Sequence, residues 1–114
     1  MRPEEILAAM IKDPEIGIPT VEDTYTGRAE TYITFTFEDE RPGLCGDDNV
    51  AEEIEYIQVT LWTPQSEDYR PLKNKIKKYL REHGFNVNSI QTFLEDITGA
   101  EKLRHVVFST TINI

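Results

Sequence analysis

The sequence predicts one α+β domain, 1–114, in which two helices pack on one face of a single antiparallel β-sheet. The chain has 114 residues, which is the size of a typical single domain. Two stretches, 31–37 and 54–62, alternate apolar and polar residues as half-buried strands do. Two others, 2–13 and 69–83, repeat apolar residues at helical spacing. With two more strands near the end of the chain, the predicted order is α-β-β-α-β-β.

The first helix is predicted for "RPEEILAAMIKD", residues 2–13. Its proline suits the first helical position, and the two glutamates that follow interact favourably with the positive end of the helix dipole. The helix is expected to end at Asp13, because a residue before proline avoids the helical conformation. Residues 16–29 predict an extended connector, with or without a short edge strand, closed by a turn at Thr26 and Gly27.

The two alternating stretches predict the central strands of the sheet. Their period places Ile33, Phe35 and Val59 among the residues that point to the core. The outward residues are mostly threonines and aromatics, which is more apolar than a face in water requires. These residues are Tyr32, Thr34, Thr36, Tyr56, Gln58, Thr60 and Trp62.

Between the central strands, the sequence predicts a long, mobile, acidic loop at 38–53. Hairpin loops usually need about two to five residues, so this connection is several times longer than a turn requires. A solvated insertion without a function is the alternative interpretation. The carboxylates in or beside the loop are Glu38, Asp39, Glu40, Asp47, Asp48, Glu52, Glu53 and Glu55.

The second helix is predicted for residues 69–83, with Ser66 or Asp68 as its cap and Gly84 ending it in left-handed geometry. An apolar stripe marks its inner face. Six of the twelve Lys and Arg residues lie within or beside this helix, so the chain combines a basic helix with an acidic loop. The bases away from the stripe are Lys73, Lys75, Lys77, Lys78 and Arg81.

Two further strands are predicted at the end of the chain, at 85–96 and 103–114, joined by a turn at 97–102. In the last strand, Val106 and Phe108 share one face with the alternate residues that follow. These two strands complete the antiparallel sheet.

The formal net charge is −9, from 12 Lys and Arg against 21 Asp and Glu. Such a chain is repelled by phosphate backbones, and the bases of the second helix are not interleaved with aromatics, so sequence-specific nucleic-acid binding is not expected. No apolar run approaches the roughly 18 residues of a membrane span. The N-terminus has acids where a signal peptide has bases. We therefore expect a protein made in a cytoplasm, with no membrane partner.

Four places could carry chemistry, and each has a simpler structural interpretation. His83 lies at a helix end, where the dipole favours a protonated imidazole, and His105 has no matching Asp or Ser pattern. The acids beside Cys45 would raise its thiol pKa, whereas a nucleophile needs a lowered one. Residues 47–55 lack the spacing of a calcium loop. We predict no catalytic residue, no cofactor, no metal site and no enzymatic activity.

From residue 16 to 114 the chain resembles a family. The resemblance rests on "TYITF", on "IQVTLW" running into "YRPLKNKIKKYLREHGF", and on the late "HVVF" strand. Together these resemble the small tail-completion and tail-terminator proteins of long-tailed phages and prophages. The resemblance implies a virion protein of the tail or neck, assembled in the bacterial cytoplasm. It also implies a ring, commonly hexameric, that caps the tail tube and contacts tail-tube or head-connector proteins, and no active site.

The candidate interface residues follow from what a ring requires. A ring joins one patch to a different patch on the next copy, and a basic helix with an acidic loop could supply such a pair. Outward aromatics are candidates for the apolar centre of the contact. The residues are Tyr32, Tyr56, Trp62, Lys73, Lys77, Lys78, Arg81, Asp47, Asp48, Glu52 and Glu53.

Two other classes of function compete with the assembly subunit. A small acidic inhibitor could mimic DNA and occupy the basic cleft of a host protein, which the net charge fits. Such a mimic would spread its acids over a face instead of keeping a basic helix. A small enzyme would need a cleft with perturbed titrating groups, and the sequence names no convincing set.

Overall fold

The fold is known from a computed structural model, which describes residues 2–42, 53–95 and 103–113. A 3₁₀ turn, Ala9–Lys12, continues the first helix. Secondary structure within the described residues consists of two helices and five strands. In chain order they are α1 (Pro3–Ala8), β1 (Thr20–Glu22), β2 (Tyr32–Pro42), β3 (Glu53–Pro64), α2 (Arg70–Glu82), β4 (Asn86–Glu95) and β5 (Leu103–Asn113).

The five strands form one mixed sheet in the order β1-β2-β3-β5-β4. The prediction of a purely antiparallel sheet is therefore wrong, because β1 pairs parallel to β2, with Thr20 opposite Ile33. All other neighbours are antiparallel, as predicted. The connector does contain the short edge strand that the sequence left open. It pairs because three residues of extended chain can satisfy backbone groups at the outer edge of β2.

The predicted loop at 38–53 is too long, because both central strands continue into it. β2 runs on to Pro42 and β3 begins at Glu53, with Glu40 opposite Glu55 and a register shift between Phe37 and Asp39. Strand propensity is low for acidic residues, but it is a weak preference that ladder hydrogen bonds override. Residues 43–52 lie outside the described residues, and with them Asp47, Asp48, Glu52 and Cys45.

One hydrophobic core joins both helices to the same face of the sheet, as the sequence predicts. Leu7 comes from α1, Ile76 and Leu80 come from α2, and Val59 and Phe108 come from the centre of the sheet. All five are completely buried. Each such side chain contributes roughly 1.5–3 kcal/mol of hydrophobic stabilisation, so this single layer holds the helices in place.

The end of α2 has the predicted signal, but the predicted cap at Ser66 or Asp68 is wrong, because the N-cap residue is Tyr69 and it makes no side-chain cap hydrogen bond. The carboxylate of Asp68, one residue earlier, accepts a hydrogen bond from the backbone N–H of Arg70 at 3.2 Å. At the other end, Gly84 has a φ of +91° and lets the Phe85 N–H reach the Leu80 carbonyl at 2.9 Å. This left-handed closure turns the chain directly from α2 into β4.

Candidate functional site

An aromatic row crosses the open face of the sheet, the face away from the helices. Register places Tyr32 opposite Trp62, Trp62 opposite His105, and His105 opposite Phe93. Tyr25 extends the row beyond β2. Ring centroids lie 4.4 Å apart for Tyr25 and Tyr32, and 6.0 Å for Tyr32 and Trp62. The distances from His105 are 4.9 Å to Trp62 and 5.1 Å to Phe93.

The rings of the aromatic row stack on one another across the strands. Neighbouring ring planes are inclined by 18° to 34°, and the Trp62–His105 pair is the most tilted. The inner residues Tyr32, Trp62 and His105 are half-buried. The row fits a stabilising cross-strand ladder with exposed ends.

Two polar atoms of the row make hydrogen bonds within the chain. The Trp62 Nε1–H donates to the Thr34 hydroxyl at 3.0 Å, and the Tyr25 hydroxyl accepts from the Ala29 N–H at 2.9 Å. Burial raises the pKa of Tyr32, and Tyr25 and Glu95 add to the shift. The buried Nδ1 of His105 has no hydrogen-bond partner among the described residues.

The structure brings together two of the three aromatics predicted as interface residues. Tyr32 and Trp62 are neighbours in the row, and both are half-buried. Tyr56 lies on the same face but further along β3, opposite Thr111, and so is not part of the row. The sequence did not identify Phe93 and His105 as members of the aromatic row. Only the register between strands distant in the chain could have identified them.

The bases of α2 separate onto two sides of the helix. Lys75 and Lys78 line a cavity of about 200 Å³ with Asp13 and Glu15, on the side that faces the end of α1. Lys78 also lies 4.0 Å from Glu82. The predicted interface residue Lys78 is therefore surrounded by acids of its own chain.

The other side of α2 is turned away from α1, towards β4. We call it the basic side of α2. Helical spacing of three and four residues aligns its four members on one stripe. Among the described residues no carboxylate forms an ion pair with Lys77 or Arg81. The members are Arg70, Lys73, Lys77 and Arg81.

Three cationic side chains lie close to the ring of Tyr69 at the start of α2. The guanidinium of Arg104 lies 4.6 Å from its ring centroid, that of Arg70 lies at 5.3 Å, and the Lys73 ammonium at 5.7 Å. Cation–π contacts at exposed sites contribute about 0.5–1 kcal/mol each. This arrangement places three cations at one end of the basic side, where Asp68 offsets part of the charge because its Oδ1 lies 3.5 Å from the Arg70 guanidinium.

At the opposite edge of the sheet, α1 and β1 form an acidic edge, which consists of Glu4, Glu5 and Glu22. These carboxylates border an open groove of about 430 Å³ that Phe35 also lines. Arg2 offsets part of the charge, because its Nε lies 3.0 Å from Glu5 and 3.8 Å from Glu4. The hydrogen bond from Arg2 lowers the pKa of Glu5. The described charges are thus acidic at the β1 edge and basic towards β4.

Among the described residues no group of three or more His, Cys, Asp and Glu side chains could hold a metal ion. The Nδ1 of His83 lies 2.8 Å from the Tyr79 carbonyl, and its ring stacks on Tyr79 at 4.0 Å, which fits the predicted role at a helix end. No described helix combines the length and apolar character needed to cross a membrane. Comparison of the chain with protein-family models and with curated proteins finds no match.

Proposed function

We propose that this protein is a structural subunit of a long-tailed phage or prophage, a tail terminator or head–tail joining protein. It self-associates head to tail into a ring, with six copies as the expected number, and caps the tail tube. Its partners are further copies of itself and tail-tube or head-connector proteins. It uses no cofactor and catalyses no reaction. The phage assignment rests on the sequence resemblance over 16–114, and self-association rests on the charge distribution.

The observation that carries the self-association is the separation of charge across the sheet. The acidic edge and the basic side of α2 lie at opposite ends of the strand order, next to β1 and β4. A ring needs two different patches that fit each other, and opposite charges steer them together and fix their register. Identical copies that meet edge to edge would each use both patches.

Charge reversal on α2 tests this arrangement with a matched control. We expect Lys77→Glu to weaken self-association by about tenfold, because it places a carboxylate on the basic side. Lys78→Glu changes the net charge equally but lies beside Asp13, Glu15 and Glu82, so it should have a smaller effect. Sedimentation velocity over a concentration series measures both variants, and electron microscopy should show closed rings of the parent. Equal dissociation constants for the two variants would contradict the charge pairing.

A small acidic inhibitor that mimics DNA is the competing proposal. The described acids at the β1 edge could contact a basic cleft, but a mimic gains nothing from the basic side of α2. Recovery of a host nuclease or polymerase on the immobilised protein, with the protein itself remaining monomeric, would favour the inhibitor over the ring subunit.

A further inference from the structure

Strand β4 has one edge that no described strand covers. It is the outermost strand, and within the described residues it pairs with β5 alone. Every second residue along that outer edge therefore presents its backbone N–H and C=O to solvent. Most of its side chains are exposed as well. An edge of this kind is a template for another strand.

The devices that normally protect an edge strand are almost absent from β4. Its sequence, "NVNSIQTFLE", contains no proline or lysine, and Glu95 is its one charged residue. Its irregularity lies at the start, between Val87 and Ser89, so 89–95 is regular. Phe93 is 45% exposed and Leu94 is 47% exposed. A long, regular edge strand with a single charge is expected to be covered by another strand in the functional protein.

The opposite edge of the sheet offers a matching strand. β1 covers only Ile33, Thr34 and Phe35 of β2, so the outer edge of β2 continues without a described partner over 36–42. This free segment has as many residues as the regular part of β4, but it contains the register shift between Phe37 and Asp39 and ends at Pro42. Three successive antiparallel pairings link β2 to β4, so β4 runs antiparallel to β2 within one copy. If two copies lie side by side in the same orientation, β4 of one copy therefore runs antiparallel to β2 of the other.

Charge distinguishes this pairing from the alternatives. The free segment of β2 contains the exposed Glu38 and lies on the side of the acidic edge, whereas β4 lies towards the basic side of α2 and carries one charge of its own, Glu95. Joining β4 to β2 of the next copy therefore brings the basic side of α2 towards the acidic edge of that copy. Pairing of β4 with β4 of another copy would bring two basic sides together, which is unfavourable.

We propose that β4 of one copy pairs antiparallel with residues 36–42 of β2 in the next copy, so that the sheet continues from subunit to subunit. The proposal rests on the proposed self-association and names the backbone contact that produces it. Such a contact is heterologous, and it leaves one free β4 and one free β2 segment at the ends of any open chain. Only a closed ring gives every β4 and every free β2 segment a partner.

Hydrogen exchange measured by mass spectrometry tests the pairing on the full chain. Amides in 89–95 should exchange at least about tenfold more slowly in assembled protein than in dilute monomer, because the outward N–H groups gain partners. Self-association with unchanged exchange over 89–95 would overturn the edge pairing and leave the ring proposal standing. Failure to associate at any concentration would overturn both proposals.

A matched pair of substitutions supplies a second measurement. Gln91→Glu places a carboxylate on the exposed edge strand, and Gln65→Glu makes the same change in an exposed turn. The carboxylate on β4 would lie beside the segment of β2 that contains Glu38 in the next copy, so Gln91→Glu should raise the dissociation constant at least about tenfold over Gln65→Glu. Circular dichroism checks that both variants fold. Equal dissociation constants would overturn the edge pairing.

Discussion

Tyr79 connects the two helices through one hydrogen bond. Its hydroxyl donates to the Ile6 carbonyl at 2.6 Å, next to the point where α1 becomes a 3₁₀ turn. Burial raises the pKa of Tyr79, and the nearby Asp13 carboxylate adds to the shift. The folded state therefore holds the tyrosine proton more tightly than the unfolded chain does, where the pKa of a tyrosine is about 10.

Protein stability should consequently depend on Tyr79 at alkaline pH. A raised pKa in the folded state means that this contribution is complete below about pH 10 and is lost as the pH rises through the folded pKa. We expect Tyr79→Phe to lower the free energy of unfolding by about 1 kcal/mol at pH 7, because it removes a hydrogen bond. It should also make the alkaline decline shallower, as measured by urea unfolding from pH 7 to 11.

Tyr69→Phe is the matched control, since it removes a hydroxyl one residue before α2 and leaves the contact with Ile6 intact. Equal alkaline declines for Tyr79→Phe and Tyr69→Phe would contradict this role of Tyr79. Tyr32, whose pKa is also raised, contributes to the decline that remains in Tyr79→Phe.

At the scale of elements, local sequence signals determined where both helices and four of the five described strands lie. Pro3 begins α1, Gly84 ends α2, and alternation identifies the inward faces of β2 and β3. These signals act within a few residues, so they can be recognised without knowing which strands pair. The lengths of β2 and β3 could not be predicted in this way, because ladder pairing carries them through residues of low strand propensity.

Gly84 offers a test of one local signal. At its φ of +91° an added Cβ would meet no atom within 4 Å, so the cost of a side chain comes from the backbone conformation alone. We expect Gly84→Ala to lower the free energy of unfolding by about 1 kcal/mol. Asn74→Ala, on the exposed face of α2, is the control and should be neutral or slightly stabilising. Thermal unfolding measures both, and an equal effect would contradict a specific role for Gly84.

For the whole molecule, the proposed self-association depends on the balance between overall repulsion and local attraction. Each copy carries a net charge of −9, so copies repel each other at long range, whereas the proposed contact brings oppositely charged edges together. Lys77→Glu and Lys78→Glu have the same net charge, so the overall repulsion between copies cancels when their dissociation constants are compared. The difference between them reports the local attraction between edges.

That difference should shrink as salt is added. The Debye length falls from about 10 Å at 0.1 M ionic strength to about 3 Å at 1 M, which is shorter than most charge separations across an interface. We expect the ratio of the two dissociation constants to approach one at about 1 M salt, as measured by sedimentation velocity. A ratio that is independent of salt would indicate that Lys77 acts by packing and not by charge.

The sequence by itself determined the α+β class, the positions of both helices, the inward and outward residues of the central strands, and the presence of a basic helix. All of these follow from periodicity or from local conformational preferences, which a single segment carries. The tertiary structure alone decided the parallel pairing of β1 and the strand order. It also assembled the aromatic row, divided the bases of α2 between two sides, and left the outer edge of β4 without a partner strand among the described residues. These features depend on backbone hydrogen bonds and packing between segments far apart in the chain, and no local pattern encodes them.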